Sequence, residues 1–217
     1  MNNTVKKALT LVAGLSMITA LGACGSSSNQ DSSANSSSQN SSRTTSNAST
    51  DSKSIVIYFS ASGNTKSVAE NIASELNAPA VELTLEQPYT DDDLRWTNPQ
   101  SRVVREYEDE SLRDVKVANK DIDNWDSYDT VYLGFPTWWQ IPAWPVNDFV
   151  KSNNFDGKTI IPFTISTSSG IGNDAEILRN LAGSGTWLTG HRFSQSASAQ
   201  DVKTWLADTN NGLNEQN

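Results

Sequence analysis

The sequence predicts an α/β fold in which a parallel β-sheet is covered by helices on both faces. Short apolar runs, rich in β-branched and aromatic residues, alternate five times with segments of helical periodicity. No two successive runs are joined directly by a two-residue turn such as Asn-Gly, which indicates helical crossovers rather than hairpins. We therefore predict a three-layer sandwich around a five-stranded parallel sheet, built on the alternation just described.

The first apolar run, residues 55–59, is followed at once by a hydroxyl-rich turn and a helix. Gly63 permits a tight reversal, and Thr65 or Asn64 is placed to cap the helix. A turn of this kind presents hydroxyls, free N–H groups and the positive end of a helix dipole to a phosphate. The alternative is a capped turn without a ligand. The predicted phosphate site comprises Ser60, Ser62, Gly63, Asn64 and Thr65.

The long segment 86–129 follows an alternating strand over residues 80–85. It is too long for a simple crossover and has weak helical character only around residues 103–110. Two interpretations stay open for it. It is either a lid over a functional site or a cover on one face of the sheet.

The third apolar run, residues 130–135, leads into a proline-bounded loop with two adjacent tryptophans. Neighbouring side chains of extended backbone point in opposite directions, so at least one tryptophan should face solvent or a ligand. Indole rings stack on flat heterocycles. The alternative is that the tryptophans pack in the core. The candidate ligand contacts in this loop are Pro136, Thr137, Trp138 and Trp139.

The second half of the chain predicts two further strands, each followed by a helix. The fourth run, residues 158–165, contains Pro162, which requires a bulge or an early end to the strand. A second hydroxyl- and glycine-rich loop follows, and Asn173 stands at the start of the next helix in capping-box spacing with Glu176. The last strand is predicted over residues 186–190, and Ser198 is the expected cap of the final helix. The candidate binding residues of the second loop are Thr167, Ser168, Ser169 and Gly170.

Composition excludes several classes of function. The net charge of −9 argues against binding to nucleic acid and to anionic membrane surfaces. One cysteine and one histidine leave no set of ligands for a cysteine or histidine metal site, so we expect no metal.

The N-terminal segment is predicted to be a targeting sequence. Lys6 and Lys7 precede an apolar stretch, residues 8–21, that is too short to span a bilayer. It ends in Leu-Gly-Ala before Cys24, which resembles a bacterial lipobox; the alternative is an ordinary secretory signal. The resemblance implies a signal peptide over residues 1–23, lipidation of Cys24, and a cell-membrane anchor on the extracytoplasmic face.

A tether and a folded domain follow. Residues 24–53 are mostly Ser, Asn, Thr and Gln and are expected to be disordered. The folded domain is predicted over residues 54–208, with a frayed tail over residues 209–217.

The sequence from Ser60 to Thr65 and the phrase Gly-Phe-Pro-Thr-Trp-Trp over residues 134–139 resemble loops of flavodoxins and flavodoxin-like oxidoreductases. The resemblance implies strand order 2-1-3-4-5 and bound FMN, with its phosphate on residues 60–65. The flavin ring would then lie between the tryptophan loop and residues 167–170.

The function implied by this resemblance is electron transfer by a membrane-anchored FMN protein whose redox partner is unknown. Many electron-carrier flavodoxins have a glycine in the loop after the third strand, and its peptide flips to stabilise the semiquinone. Here that position is occupied by Trp138-Trp139-Gln140. A two-electron reductase that passes hydride from a reduced nicotinamide to a quinone-type acceptor therefore stays open, as does a display or binding module without flavin.

Overall fold

The computed structural model describes the backbone of residues 53–214 and the side chains as far as residue 209. The predicted signal peptide, the lipidated Cys24 and nearly all of the tether lie outside the described residues. Within the described range, no helix combines the length and the apolar character needed to cross a membrane.

The described chain forms one mixed sheet with helices on both faces. The strands are β1 (Ser54–Tyr58), β2 (Ala80–Glu82), β3 (Thr130–Trp138), β4 (Ile141–Pro142), β5 (Thr159–Ile165), β6 (Thr186–Trp187) and β7 (His191–Phe193). The parallel strands lie in the order β2-β1-β3-β5-β6, and β7 also pairs in parallel with β5. This is the predicted order 2-1-3-4-5, with an added hairpin strand, β4, and a last strand in two pieces.

The helices build the outer layers. They are α1 (Asn64–Leu76), α2 (Arg102–Glu108), α3 (Val146–Ser152), α4 (Asp174–Ala182) and α5 (Ala199–Asn214). One core holds apolar side chains of α2, α3 and α4, and the other holds those of α1 and α5. Because the two cores lie on opposite faces of the sheet, the three-layer prediction is confirmed. Helix α5 continues into the segment where fraying is expected.

The tryptophan loop is a hairpin, so the prediction of a sheet without hairpins is wrong here. Strand β3 continues through Trp138 and pairs antiparallel with β4. The turn consists of Trp139 and Gln140, both in the left-handed region with φ of 47° and 66°. Such turns usually carry glycine or asparagine, and their absence from this turn is why the sequence gives no hairpin signal.

Strand β5 does not end at Pro162 as one alternative required; instead, its outer neighbour is interrupted. Residues 159–160 pair with β6, and residues 163–165 pair with β7. Between these pairings the chain passes Pro162 at Gly190, where a Cβ atom would lie 2.3 Å from the Pro162 carbonyl oxygen. The edge of Pro162 that lacks an N–H donor therefore faces the gap between β6 and β7.

Two of the three predicted helix caps differ from expectation. The residue at the N-cap of α1 is Gly63, with φ 86°, in place of Asn64 or Thr65. Asn173 occupies the N-cap of α4 but makes no side-chain capping bond. Ser198 does cap α5, since its Oγ accepts from the N–H of Asp201, whose carboxylate accepts from the N–H of Ser198.

Candidate functional site

A cavity of about 420 Å³ lies where β1, β3 and β5 end at their carboxyl edge. This is the edge where parallel α/β sheets bind ligands. All three predicted loops contribute to its lining. The predicted residues that line it are Ser62, Asn64, Thr65, Pro136, Thr137, Trp138, Trp139 and Thr167. The predicted residues that do not line it are Ser60, Gly63, Ser168, Ser169 and Gly170.

The turn after β1 has the form expected of an anion site. Ser62 is exposed and its Oγ accepts from the side-chain amide of Asn64 at 3.2 Å. The hydroxyl of Ser60 accepts from the backbone N–H of Lys66 at 3.2 Å, so it stabilises the turn rather than facing the cavity. Gly63 brings no side chain to the helix start, where the first N–H groups have no intrahelical partner. The first two residues of α1, Asn64 and Thr65, therefore line the cavity, while the N–H of Lys66 is taken by Ser60.

The two tryptophans form an aromatic wall. Trp138 lies edge-on to Tyr89 and to Trp144, with ring centroids 5.5 and 4.9 Å apart. Trp139 stacks on Tyr107 at 4.4 Å, with 11° between the ring planes. Both tryptophans are half-buried and both line the cavity. Each tryptophan therefore packs against the core and also faces the cavity.

The buried carboxylate of Glu106 on α2 fixes this wall. It accepts hydrogen bonds from the Tyr89 hydroxyl, from Arg102 Nε at 2.6 Å and from Trp144 Nε1 at 2.8 Å. The Arg102 guanidinium also lies over the Tyr89 ring, 4.1 Å from its centroid. Burial and the neighbouring Glu106 raise the pKa of Tyr89 well above its usual value, so the phenol stays protonated.

Segment 86–129 both covers the sheet and lines the site. Val103 belongs to the core and also lines the cavity, together with Leu94 and Trp96. Among the side chains of residues 53–209, Trp96 is the most exposed large apolar one, with 72% of its surface accessible. The sequence prediction did not include these residues in the site. The available signal is a tryptophan set among aspartates and prolines, where no core-facing periodicity accounts for it.

The loop after β5 is held by Arg192 of β7. The Arg192 guanidinium donates to the carbonyl oxygens of Ser166 and Thr167, the latter at 2.7 Å. The N–H of Ser169 donates to Ser166 Oγ at 2.9 Å, which turns the loop back on itself. Ser166 and Thr167 consequently line the cavity while residues 168–170 lie away from it. The other lining residues that the sequence prediction missed are Ala61, Ile165, Ser166 and Gln195.

A buried acid lies behind the wall. Asp174 is 1% exposed, and its Oδ2 is 3.4 Å from the Oγ1 of Thr137, which lines the cavity. Burial raises the pKa of Asp174 to about 7. Thr137 Oγ1 is also 2.6 Å from Thr164 Oγ1, and Thr164 donates to the Phe135 carbonyl at 2.9 Å. Among residues 53–209, no cluster of three or more His, Cys, Asp or Glu side chains is arranged to hold a metal ion.

Comparisons with known proteins agree with this architecture. The family model described as Flavodoxin matches residues 53–209. A putative flavoprotein from Bacteroides eggerthii is 33% identical, with a TM-score of 0.65, and the match covers 72% of this chain and 96% of that one. A putative flavoprotein from Bacteroides uniformis is 34% identical, with a TM-score of 0.65, over 72% of this chain and 98% of the other.

A third structure, a flavoprotein from Lactobacillus acidophilus in complex with FMN, is more distant. It is 20% identical, with a TM-score of 0.47, and the match covers 66% of this chain and 91% of that chain. No curated protein sequence matches the chain.

Proposed function

Because the chain belongs to the flavodoxin family, as the match over residues 53–209 shows, we propose that it binds FMN in the cavity at the carboxyl edge of the sheet. The observation that carries the proposal is the convergence of a hydroxyl-bearing helix start, an aromatic wall and a polar loop on one cavity of about 420 Å³. The helix start suits a phosphate, the aromatic wall suits a flat ring, and the polar loop suits the polar edge of that ring.

The residues have distinct tasks in this proposal. The phosphate is bound by the first amides of α1 and the hydroxyls of Ser62 and Thr65. Trp138 and the exposed Trp96 contact the ring, and Thr167 contacts its polar edge. FMN, when bound, supplies the redox chemistry by accepting and donating electrons. The chain's own part is to bind it, orient it and exclude water from its faces.

Electron transfer with a separate redox partner is the role we propose first. A second candidate, a two-electron reductase, is favoured by the hairpin turn. The turn is Trp139-Gln140, without glycine, and the Trp139 ring is stacked on Tyr107 of α2. A peptide flip in this turn would have to displace that stack, which disfavours the stabilised one-electron state of carrier flavodoxins.

We also propose that the domain is attached to the extracytoplasmic face of the cell membrane through a lipid on Cys24. The support is the lipobox-like sequence before Cys24, the sole cysteine of the chain. Metabolic labelling with radioactive palmitate tests it. The wild-type chain should incorporate label into the membrane fraction, and Cys24→Ala should not. Equal labelling of both chains would refute the anchor.

The binding proposal is tested by the visible absorption spectrum of the purified chain during titration with FMN. Ser62→Asp places a negative charge in the phosphate site and should weaken binding by at least about tenfold. The matched control is Ser67→Asp, which adds the same charge near the start of α1, at an exposed position outside the cavity. Absence of binding by the wild-type chain at excess FMN would refute both redox roles and leave the display module.

Stepwise reduction of the bound flavin then separates the two redox roles. A persistent semiquinone spectrum supports the electron carrier. Direct passage from oxidised to fully reduced flavin supports the two-electron reductase.

A further inference from the structure

The Asp174 carboxyl is a titratable group without a counter-charge, placed one hydrogen bond behind the cavity wall. Asp174 is 1% exposed, and its Oδ2 lies 3.4 Å from Thr137 Oγ1, its side-chain partner in the structure. Thr137 itself lines the cavity. A buried aspartate is usually paired with a cation, because burial of an unpaired charge is costly. Asp174 therefore differs from a structural acid.

The charged groups on the elements that pack against α4 make no ion pair with Asp174. Helix α4 packs against α3, β4 and β6, and neither β4 nor β6 contains a charged residue. On α3, Asp148 pairs with Lys116 and Lys120, while Lys151 is exposed and makes no ion pair in the structure. On α4 itself, the side chains of Glu176 and Arg179 pair with each other. Among the described residues, no cation pairs with the Asp174 carboxyl.

Counting hydrogens shows which protonation state the geometry suits. Thr164 gives its single hydroxyl hydrogen to the Phe135 carbonyl, which can only accept. Thr137, 2.6 Å away, must then donate its own hydrogen to Thr164. The 3.4 Å contact between Thr137 Oγ1 and Asp174 Oδ2 also suits Thr137 as the donor, but once the Thr137 hydrogen lies on Thr164, this contact is a hydrogen bond only if the carboxyl is protonated and donates. With an ionised carboxylate, Thr137 would have to donate to Asp174. One of the three hydrogen bonds that link Asp174, Thr137, Thr164 and the Phe135 carbonyl would then be lost.

We propose that Asp174 is a positioning residue that sets, through its proton, the direction in which the Thr137 hydroxyl points. When Asp174 is protonated, it donates to Thr137, and the Thr137 hydrogen is free to turn from Thr164 to a ligand in the cavity. When Asp174 is ionised, Thr137 turns its hydrogen back and presents only oxygen to the cavity. Protonated Asp174 thus favours a ligand that gains negative charge.

The consequence for the flavin rests on the proposed function. Reduction adds negative charge to bound FMN, so a donating Thr137 stabilises the reduced form relative to the oxidised form. The midpoint potential should therefore fall more steeply with pH in the range where Asp174 loses its proton. Full coupling of one proton to two electrons corresponds to about 30 mV for each tenfold change in proton activity.

The test compares the wild-type chain with Asp174→Asn, which keeps the shape and has an amide that donates permanently to Thr137. We expect the midpoint potential of bound FMN to lose the additional slope near neutral pH in this variant. The matched control, Glu176→Gln, removes the same charge from an exposed position on the same helix and should retain the slope. Equal slopes in wild type and Asp174→Asn, with FMN bound to both, would overturn the coupling alone.

A second measurement needs no flavin. The carbon-13 shift of the Asp174 carboxyl in the flavin-free chain should titrate near neutral pH, and it should respond to Thr137→Val. Titration in the usual range of an exposed aspartate would overturn the protonated state itself. Failure of the wild-type chain to bind FMN would instead refute the proposed function, together with the coupling that depends on it.

Discussion

The buried acid makes a prediction about stability that is independent of any ligand. The unfolded chain releases the Asp174 proton near the usual pKa of 3.8, and the folded chain releases it at about 7. Between these values the folded state binds more protons, so the free energy of unfolding decreases as pH rises through this window. One pKa unit corresponds to 1.36 kcal/mol, so the full loss is up to about 4 kcal/mol.

Asp174→Asn should remove this loss. Its amide is neutral at every pH and can donate to Thr137, so the variant should be more stable than wild type by about 2–4 kcal/mol above neutral pH. Near pH 4 the two chains should be about equally stable. The assay is urea denaturation of the flavin-free chain at a series of pH values.

The difference between the two chains is the informative quantity, because other carboxyls titrate in both. Hydrogen bonds from Thr90 and from Ser198 lower the pKa of Asp93 and of Asp201, respectively, and the stability that these two carboxylates contribute is lost as pH falls. That contribution cancels between wild type and variant. Glu176→Gln serves again as the control for removal of one negative charge. If the difference in free energy of unfolding between Asp174→Asn and wild type stays constant with pH, the conclusion that burial keeps Asp174 protonated is refuted.

Three further changes test the core and the aromatic wall. Gly134→Ala would place a Cβ atom 2.2 Å from the Phe163 ring, so it should lower the free energy of unfolding in urea by about 1–3 kcal/mol. The control Gly170→Ala meets no atom closer than 3.9 Å and should change the free energy of unfolding little. Glu106→Gln leaves charged and neutral donors short of an acceptor and should cost about 2–3 kcal/mol in the same assay. Trp96→Leu should weaken FMN binding about fivefold, read by titration, because it removes about 1 kcal/mol of stacking.

Two controls keep the last two results specific. Glu110 forms an exposed ion pair with Arg113, so Glu110→Gln should change the free energy of unfolding by less than about 1 kcal/mol. Leu112 is another exposed apolar side chain that does not line the cavity, and Leu112→Ala should leave FMN binding unchanged. Equal losses of stability in Glu106→Gln and Glu110→Gln would mean that the Glu106 hydrogen bonds do not stabilise the fold specifically. Equal losses of FMN binding in Trp96→Leu and Leu112→Ala would mean that Trp96 does not contact the flavin.

The parallel framework could be predicted because it depends on local patterns. Residues 55–59 and 131–135 contain no charged or amide side chain, and only a strand covered on both faces buries such runs fully. The order of strands and the position of the cavity followed from the resemblance. The hairpin could not be predicted, because the turn at Trp139 and Gln140 lacks the residues that favour positive φ. Tertiary contacts, such as the stack of Trp139 on Tyr107, accompany that conformation.

The lining of the cavity could be predicted where loops follow strands, and it was missed where distant segments meet. Ser62 and Thr137 adjoin strand ends, and their positions follow from the topology. Trp96 enters the cavity from segment 86–129, whose irregular path has no periodicity to follow. Asp174 resembles any acidic residue in the first turn of a helix, where exposure is the rule. Its burial depends on how α4 packs against α3, β4 and β6, which only the assembled fold determines.

The interruption opposite Pro162 also affects how this protein behaves among copies of itself. Strands β6 and β7, which form one border of the sheet, have two and three residues, and β2 at the other border has three. Each border of the sheet therefore offers only a short row of unpaired N–H and C=O groups to a strand of another molecule. Such short borders resist intermolecular β-pairing. The short edge strands therefore protect the folded domain against edge-to-edge aggregation with copies of itself.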